Sequence, residues 1–463
     1  MKKFTLLILF FSITCTYGQD FLLGVDLSYV NEMEDCGAEY YKDGAVKDVY
    51  EIFSDHGANI VRLRLWHTPT WYTELNNGNI YSDFVDVCKS IERAKSAGMK
   101  VLLDFHLSDN WADPSKQLVP KAWLNIVNDV DLLKDSLFDY LYNTLEHLAQ
   151  KDLMPEYVQI GNETNKGILL SPSDNEVFTL EWPRNAILFN AAIDAVRKIS
   201  DEHNRDIDIV LHLADPSNAS WLMEAFTTNG VLDFDIIGLS YYWQWHQPTT
   251  IQEAGDVVAN LRQTYPDKEV ALVEVGIHWT QEENDQANNI LNEVPSGYNP
   301  ISPSNQKKWL IDLTNEVQLN GGIGVFYWEP AWVSTPCFTQ WGRGSHYENA
   351  SFFNFENELI EEGGIAWLNY DYDFISSSLE SLKEEWKVYY THQDSILYIQ
   401  NKEIKEGNYA LRLFDMKGNT ILIEKFYSNE YSIGLNVSSG NYFIIIMNSD
   451  HIVYSKKMII INE

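Results

Sequence analysis

Eight short runs rich in β-branched and aliphatic residues recur along the first ~350 residues of this 463-residue chain. They cover residues 22–27, 59–65, 100–105, 157–161, 207–213, 234–240, 269–275 and 322–328. Amphipathic stretches lie between most of them, for example residues 46–56, 84–97, 130–149, 185–200 and 304–319. Strands that alternate with helices imply a parallel sheet, because a parallel connection needs a crossover. About eight such units predict an α/β fold of the (β/α)8 TIM-barrel type with insertions. A doubly wound open sheet is the main competitor. It usually carries a glycine-rich phosphate turn after its first strand, and none follows Leu27.

The pattern changes after about residue 370. Ser376-Ser377-Ser378 and a polar, acidic stretch lead into short alternating runs at 396–399, 409–414, 420–427, 432–435, 442–447 and 452–461. Residues 415–419 and 439–441 read as turns. A small β-sandwich is expected. The predicted organisation is a leader at 1–18, a catalytic barrel at 19–375 and a sandwich at 376–463.

In a barrel, the C-terminal strand ends converge on one face, and active sites form there. Glu163, in Gln159-Ile160-Gly161-Asn162-Glu163, and Glu274, in Leu272-Val273-Glu274-Val275, each end an apolar run, the fourth and the seventh. An ionised group avoids such a place unless it is paired or used. Two acids at matching strand ends are the equipment of glycoside hydrolysis, in which one protonates the leaving oxygen and the other attacks the sugar. Asn162 beside the acid can bond a sugar 2-hydroxyl. Tryptophans also gather at strand ends: Trp66, Trp111, Trp243, Trp245, Trp279, Trp328 and Trp332. Their faces suit the apolar face of a pyranose, although any one of them can equally be a core residue.

Asp104-Phe105-His106 and Leu211-His212-Leu213 place histidines at strand ends three and five. Either can bond a sugar hydroxyl, orient a glutamate or be a satisfied core group. No His-Glu-x-x-His pairing occurs, which argues against catalytic zinc. Arg62 and Arg64 alternate with apolar residues in the second run. One or both are expected to pair with a buried carboxylate, the nucleophile among the candidates, and to keep it ionised.

The formal net charge is −34, which disfavours nucleic acid and anionic polymers and suits a neutral one. Met1-Lys2-Lys3 and the apolar residues 4–11 read as a secretory signal with cleavage before Gln19. No later run is long enough to span a membrane, and Cys15 lies in a poor lipobox. Cys36, Cys88 and Cys337 then remain, an odd number, so any disulfide is optional and the core must supply stability. No heptad pattern or oligomerisation segment is evident, and a monomer is expected.

Several blocks resemble glycoside hydrolase family 53, the arabinogalactan endo-β-1,4-galactanases. They are Gly24-Val25-Asp26-Leu27-Ser28, Val61-Arg62-Leu63-Arg64-Leu65-Trp66, the run from Leu102 through Asp104-Phe105-His106-Leu107-Ser108-Asp109-Asn110-Trp111 to Pro114, Lys116-Gln117, Gly161-Asn162-Glu163-Thr164-Asn165, and Gly322 through Trp328-Glu329-Pro330. The resemblance implies a retaining (β/α)8 hydrolase acting on the β-1,4-galactan side chains of pectin, with Glu163 as acid/base and Glu274 as nucleophile. The residues expected to contact substrate are Asn162, Asp104, His106, Trp111, His212, Trp243, Trp328 and Arg64. No cofactor is implied for the chemistry. Some bacterial members bind structural calcium in the loop after strand seven. Here that loop is acidic but lacks the glycines, so Glu283, Asn284 and Asp285 are candidate ligands only. Leu107 stands where the family usually has Tyr, which would alter one subsite. A related barrel enzyme (a β-mannanase or an endoglucanase) and a non-catalytic galactan-binding protein are the alternatives. The C-terminal segment is similar to sorting domains of type IX secretion, which implies a secreted or cell-surface protein. A carbohydrate-binding module is the alternative there.

Overall fold

The computed structural model describes residues 21–177, 180–372, 386–391, 395–401, 409–415, 420–428, 430–448 and 451–460. The leader at 1–18 with Cys15, the serines at 376–378 and most of the 415–419 turn lie outside the described residues. All eight β-rich runs become strands: β1 (Leu22–Asp26), β2 (Ile60–Leu65), β3 (Lys100–Phe105), β4 (Tyr157–Ile160), β5 (Asp208–Ala214), β6 (Ile236–Tyr241), β7 (Glu269–Val275) and β8 (Gly324–Tyr327). Each pairs in parallel with its sequence neighbours, and β8 closes on β1 through Leu22 opposite Gly324. The fold is a TIM barrel.

The barrel interior is built by the two-residue period of a strand. Leu22, Ile60, Leu102, Tyr157, Val210, Ile236 and Phe326 form one apolar layer inside the ring. Two residues further along the same faces come Gly24, Arg62, Asp104, Gln159 and His212. Ser240 stands four beyond Ile236. Above the apolar plug the interior therefore turns polar. Gly24 is required for closure, since a Cβ there would lie 2.1 Å from the Phe326 ring. A register shift between β6 and β7 brings Ser240 opposite Glu274.

The outer ring comprises α1 (Val49–Asp55), α2 (Phe84–Ser96), α3 (Val130–Ala149), α4 (Trp182–His203), α5 (Pro216–Thr228), α6 (Ile251–Thr264) and α7 (Pro303–Leu319). Most begin at a side-chain cap, such as Asp83, Asp129 and Ser302, and Thr250 with Glu253 forms a capping box. None of these helices is long and apolar enough to cross a membrane. Cys36 and Cys337 form a disulfide across 301 residues of chain, and Cys88 is buried and free. A spacing that long carries no sequence signal.

Residues Phe21–Tyr372 form one compact unit, and Asp373–Glu463 belong to another. The second unit has two antiparallel sheets. One contains Trp386–Thr391, Ile396–Asn401 and Glu430–Gly434. The other orders Thr420–Phe426, Tyr409–Asp415, Gly440–Asn448 and His451–Ile460. Val388, Leu397 and Ile399 of the first sheet share a core with Leu411, Leu413, Ile444 and Ile446 of the second, which is a sandwich. Two details differ from the expectation. Trp386–Thr391 adds a strand, and Gly440 and Asn441 begin a strand rather than lying in a turn.

Candidate active site

Arg62 organises the polar layer. Its Nε donates to Gln159 Oε1 at 3.1 Å, and Nη1 reaches Asp26 Oδ2 at 2.9 Å and Glu274 Oε1 at 2.8 Å. Nη2 donates to Asp104 Oδ2 at 2.8 Å and Asn162 Oδ1 at 2.7 Å. All five N–H groups of the guanidinium are engaged, which is what a buried cation needs.

Glu274 thus carries a cation on one oxygen, and the Tyr242 hydroxyl donates to the other at 3.2 Å. Burial raises its carboxyl above the ordinary range; Arg62 opposes this, Asp26 and Asp104 add to it, and the Tyr242 bond opposes it. Glu163 leaves β4 through a tight turn in which Gly161 and Glu163 both have positive φ, +76° and +47°. Gln117 Nε2 pins that turn through the carbonyls of Asn162 and Glu163 at 2.7 and 3.1 Å. A non-glycine residue held in this region is strained, and such strain collects at functional sites. Burial, then the charge of Glu274, push the Glu163 carboxyl up, and a hydrogen bond from Ser240 opposes them. Both carboxyls are thus pushed up by burial, and Arg62, on Glu274, favours the ionised form there.

His212 supports Glu163. The Glu163 N–H donates to its Nδ1 at 3.3 Å, with Gln159 Nε2 and Asn162 Oδ1 3.1 and 3.0 Å from the same atom; with that bond made, Nδ1 is the acceptor. Nε2–H then donates to Ser240 Oγ at 2.9 Å, and Ser240 bonds Glu163. Burial, then the positive charge of Arg62, lower the His212 pKa and keep the ring neutral.

Glu163, Glu274 and Asn162 line a cleft of about 920 Å³. Trp111, Trp328, Trp332 and Trp341 form a wall in mutual ring contact, with centroids 5.8–6.0 Å apart. Asp215 after β5, Asn218 in the first turn of α5, and Tyr242, Trp245 and His246 after β6 join the lining. Of the residues expected to touch substrate, Asn162, Trp111 and Trp328 line the cleft. Asn162 Nδ2 donates to Ala112 O at 2.8 Å and keeps a second N–H.

The others stand behind the cleft. Asp104 is fully buried and bonds Arg62, His106 and Gln159, each at 2.8 Å. His106 is held by that bond, edge-on to Trp66 and Trp111. Arg64 lies beneath Trp111, 4.2 Å from the ring centroid, and pairs with Glu329 at 3.3 Å. Trp243 packs against the barrel core, and Trp245 takes the place in the lining. Trp66 is fully buried, Trp279 contacts Phe355, and Leu107 belongs to the core.

Sequence reasoning did not single out Asp26, Gln159, Ser240, Tyr242 or Trp341. The two-residue alternation above the apolar plug marks Gln159, and the strand register places Ser240. Trp341 sits in a short hairpin, Phe338–Thr339 with Gly342–Arg343, for which no local signal exists.

The calcium candidates have protein partners or face solvent. Asp285 accepts from Ala287 N and Ser345 N, Asn284 donates to Ser334, and Glu283 is exposed. Among the described residues no three His, Cys, Asp or Glu side chains converge.

A parallel barrel with an aromatic cleft lined by two buried glutamates, an arginine on one of them, is the architecture of a glycoside hydrolase. The sequence profile of Glycosyl hydrolase family 53 matches residues 22–362, and the chain belongs to that family. The arabinogalactan endo-beta-1,4-galactanase of Cellvibrio japonicus (strain Ueda107) is 48% identical over 336 residues, covering 72% of this chain and 86% of its own. The endo-beta-1,4-galactanase of Bacillus subtilis (strain 168) is 36% identical over 335 residues, covering 70% and 72%. The family 53 catalytic domain of Ignisphaera aggregans superposes with a TM-score of 0.67 at 31% identity, covering 76% of this chain and 97% of that one.

Proposed function

We propose that this chain is an endo-β-1,4-galactanase that cleaves the galactan side chains of pectin with retention. The observation that carries the mechanism is the ion pair of Arg62 with Glu274 in the cleft that buried Glu163 also lines, where burial and the charge of Glu274 push the Glu163 carboxyl up. The substrate reading rests on the galactanase relatives, and a neutral galactan suits a chain of net charge −34.

Glu163 protonates the glycosidic oxygen while Glu274 attacks the anomeric carbon. The C1–O bond breaks and a galactosyl ester forms on Glu274. Its negative charge is now neutralised, so the Glu163 carboxylate becomes a base and takes a proton from water, whose oxygen bonds C1 as the ester C1–O bond to Glu274 breaks; the sugar leaves, Glu274 is a carboxylate again and Glu163 is reprotonated. Asn162 offers its free N–H to the 2-hydroxyl, a contact that strengthens as the ring flattens. No metal enters these steps. Retention calls for carboxyls about 5–5.5 Å apart. We further propose export through the leader at 1–18, a sorting role for the C-terminal sandwich, and action as a monomer.

Reducing-end release from debranched β-1,4-galactan by wild type and Glu274→Ala tests the reading, together with NMR of the first-formed anomer. Short galactooligosaccharides in the β configuration, lost in the variant, are expected. An α product would sink retention. Activity on mannan or glucan alone would remove galactan.

A further inference from the structure

Trp341 is the most exposed member of the aromatic wall, 56% in solvent where Trp328 and Trp332 are buried. It sits in the turn of the hairpin formed by Phe338–Thr339 and Gly342–Arg343. Strands this short cannot hold a hairpin in water by themselves. Phe338 is itself half in solvent, so little apolar burial fixes the turn. Yet the Trp341 ring is set against Trp111 and edge-on to His346, centroids 5.8 Å apart in each case. Within the same loop, Thr339 Oγ1 lies 3.1 Å from His346 Nε2.

The remaining tethers come from the loops after β1, β2 and β3. Cys337, the residue before the hairpin, is disulfide-bonded to Cys36, which ends the short helix Val30–Asp35 after β1. The Asn76 side chain pairs with the Phe338 peptide as a neighbouring strand would: Oδ1 accepts from Phe338 N at 2.8 Å, and Nδ2 donates to Phe338 O at 2.7 Å. Asn76 is fixed in turn by the buried Glu32, whose Oε1 accepts from Nδ2 at 3.2 Å and whose Oε2 accepts from the Tyr72 hydroxyl at 3.0 Å. Gln340, next to Trp341, forms a reciprocal amide pair with Asn110, next to Trp111, at 2.9 and 3.0 Å. The hairpin leaves β8 and is held from the loops of β1, β2 and β3, which follow β8 around the ring.

We propose that the Cys36–Cys337 disulfide, Asn76 and Gln340 are positioning residues that clamp this hairpin, so that Trp341 closes the aromatic wall and galactan binding depends on the clamp. This rests on the galactanase reading above. None of these side chains lines the cleft. They act through Trp341 on binding and leave bond breaking alone. A disulfide between such distant residues also stabilises the fold, so the test must separate the two effects.

The test compares full-length wild type, Cys36→Ser/Cys337→Ser, Trp341→Ala and the three changes combined on debranched β-1,4-galactan. In the serine variant KM should rise about three- to tenfold with kcat within about twofold. Trp341→Ala should show the same rise, and the combination should add less than about twofold, because tether and ring act as one unit. Brief chymotrypsin treatment should nick the serine variant after Phe338 or Trp341 and spare the wild type. Asn76→Ala and Gln340→Ala keep the disulfide and should each raise KM about twofold or more, which decides the matter if the serine variant does not fold. A lower melting temperature with an unmoved KM would make the disulfide a stabiliser only and overturn the clamp. Losses that multiply in the combined variant, or an unmoved KM in both amide variants, would overturn it too. Any of these results with an active wild type removes the clamp alone. A wild type inert on galactan would remove the galactanase reading and the clamp with it.

Discussion

Arg62 and Arg64 stand two residues apart on β2, face the same barrel interior and are each 1% exposed. Their surroundings differ in kind. Arg62 places all five N–H groups on Asp26, Asp104, Gln159, Asn162 and Glu274. Arg64 has one hydrogen-bonded ion pair, to Glu329, and its Nε and Nη2 find no acceptor among the described residues. Instead its guanidinium lies 4.2–4.8 Å from the ring centroids of Tyr29, Trp66 and Trp111. One cation is held by carboxylates and sets a charge state. The other is held by π faces and supports a wall. A buried arginine in a strand therefore does not by itself name its role. The groups opposite it do.

The largest effect that separates the two is expected from Arg62→Met. Removing one partner of a buried charge cluster costs about 3–5 kcal/mol, and here it strips Glu274 of its counter-charge. We expect kcat to fall by about 10²–10⁴-fold and the acid limb of the pH–rate profile to move to higher pH, because Glu274 then ionises less readily. Arg62→Lys should recover little, since one ammonium cannot reproduce the fork. An unmoved acid limb in a folded variant would show that Arg62 does not set the charge of Glu274.

Glu163→Gln sharpens the same point from the other carboxyl. The folded pKa of Glu163 lies above its ordinary value of 4.5. The native state therefore binds this proton more tightly than the unfolded chain does. Stability from this group is full below pH 4.5 and declines as pH rises through the folded pKa. The amide removes that decline. The variant should be nearly inactive on galactan, yet melt higher than wild type at pH 8 and equally at pH 4. Equal melting at both pH values would show that no proton is held there.

Arg64→Met should act more gently and on a different parameter. It removes the cation under Trp111 but no group that touches the reacting atoms. KM for galactan should rise about three- to tenfold with kcat within about threefold, matching the loss of a desolvated cation–π contact of ~1–2 kcal/mol. A fall in kcat comparable to that of Arg62→Met would place Arg64 in the charge network instead.

The eight strands were legible because each apolar run is short, β-branched and separated by a helical period. The places of Glu163 and Glu274 in the cleft were legible because each ends such a run. What the local pattern did not carry was depth. Asp104, His106, His212 and Arg64 read as substrate contacts, yet they lie below the cleft, because the interior of a barrel is layered and period two says inward without saying how far down. Trp243 and Trp245 show the same limit in a loop, where no period applies and only packing decides which ring faces the cleft. The Cys36–Cys337 pair and the Trp341 hairpin depend on contacts hundreds of residues apart, to which local reading is blind.

Glu329→Gln gives the smallest expected effect and decides what holds Arg64. Glu329 is fully buried at φ +47°, and its Oε2 accepts from Tyr29 N at 3.2 Å. Burial, then the charge of Asp26, drive its carboxyl well above the ordinary range, with Arg64 opposing. If the rings carry most of the stabilisation, an isosteric amide keeps the hydrogen bond from Tyr29 and a neutral acceptor for Arg64. The loss should then stay below about 1 kcal/mol, read as a small shift in the urea midpoint at constant m. The sign should also depend on pH. The folded pKa is raised, so wild-type stability from this group falls as pH rises above 4.5, and the amide variant should close the gap at alkaline pH. A loss of 3–5 kcal/mol, the range for a broken buried ion pair, would make Arg64 a second Arg62 and erase the contrast between them.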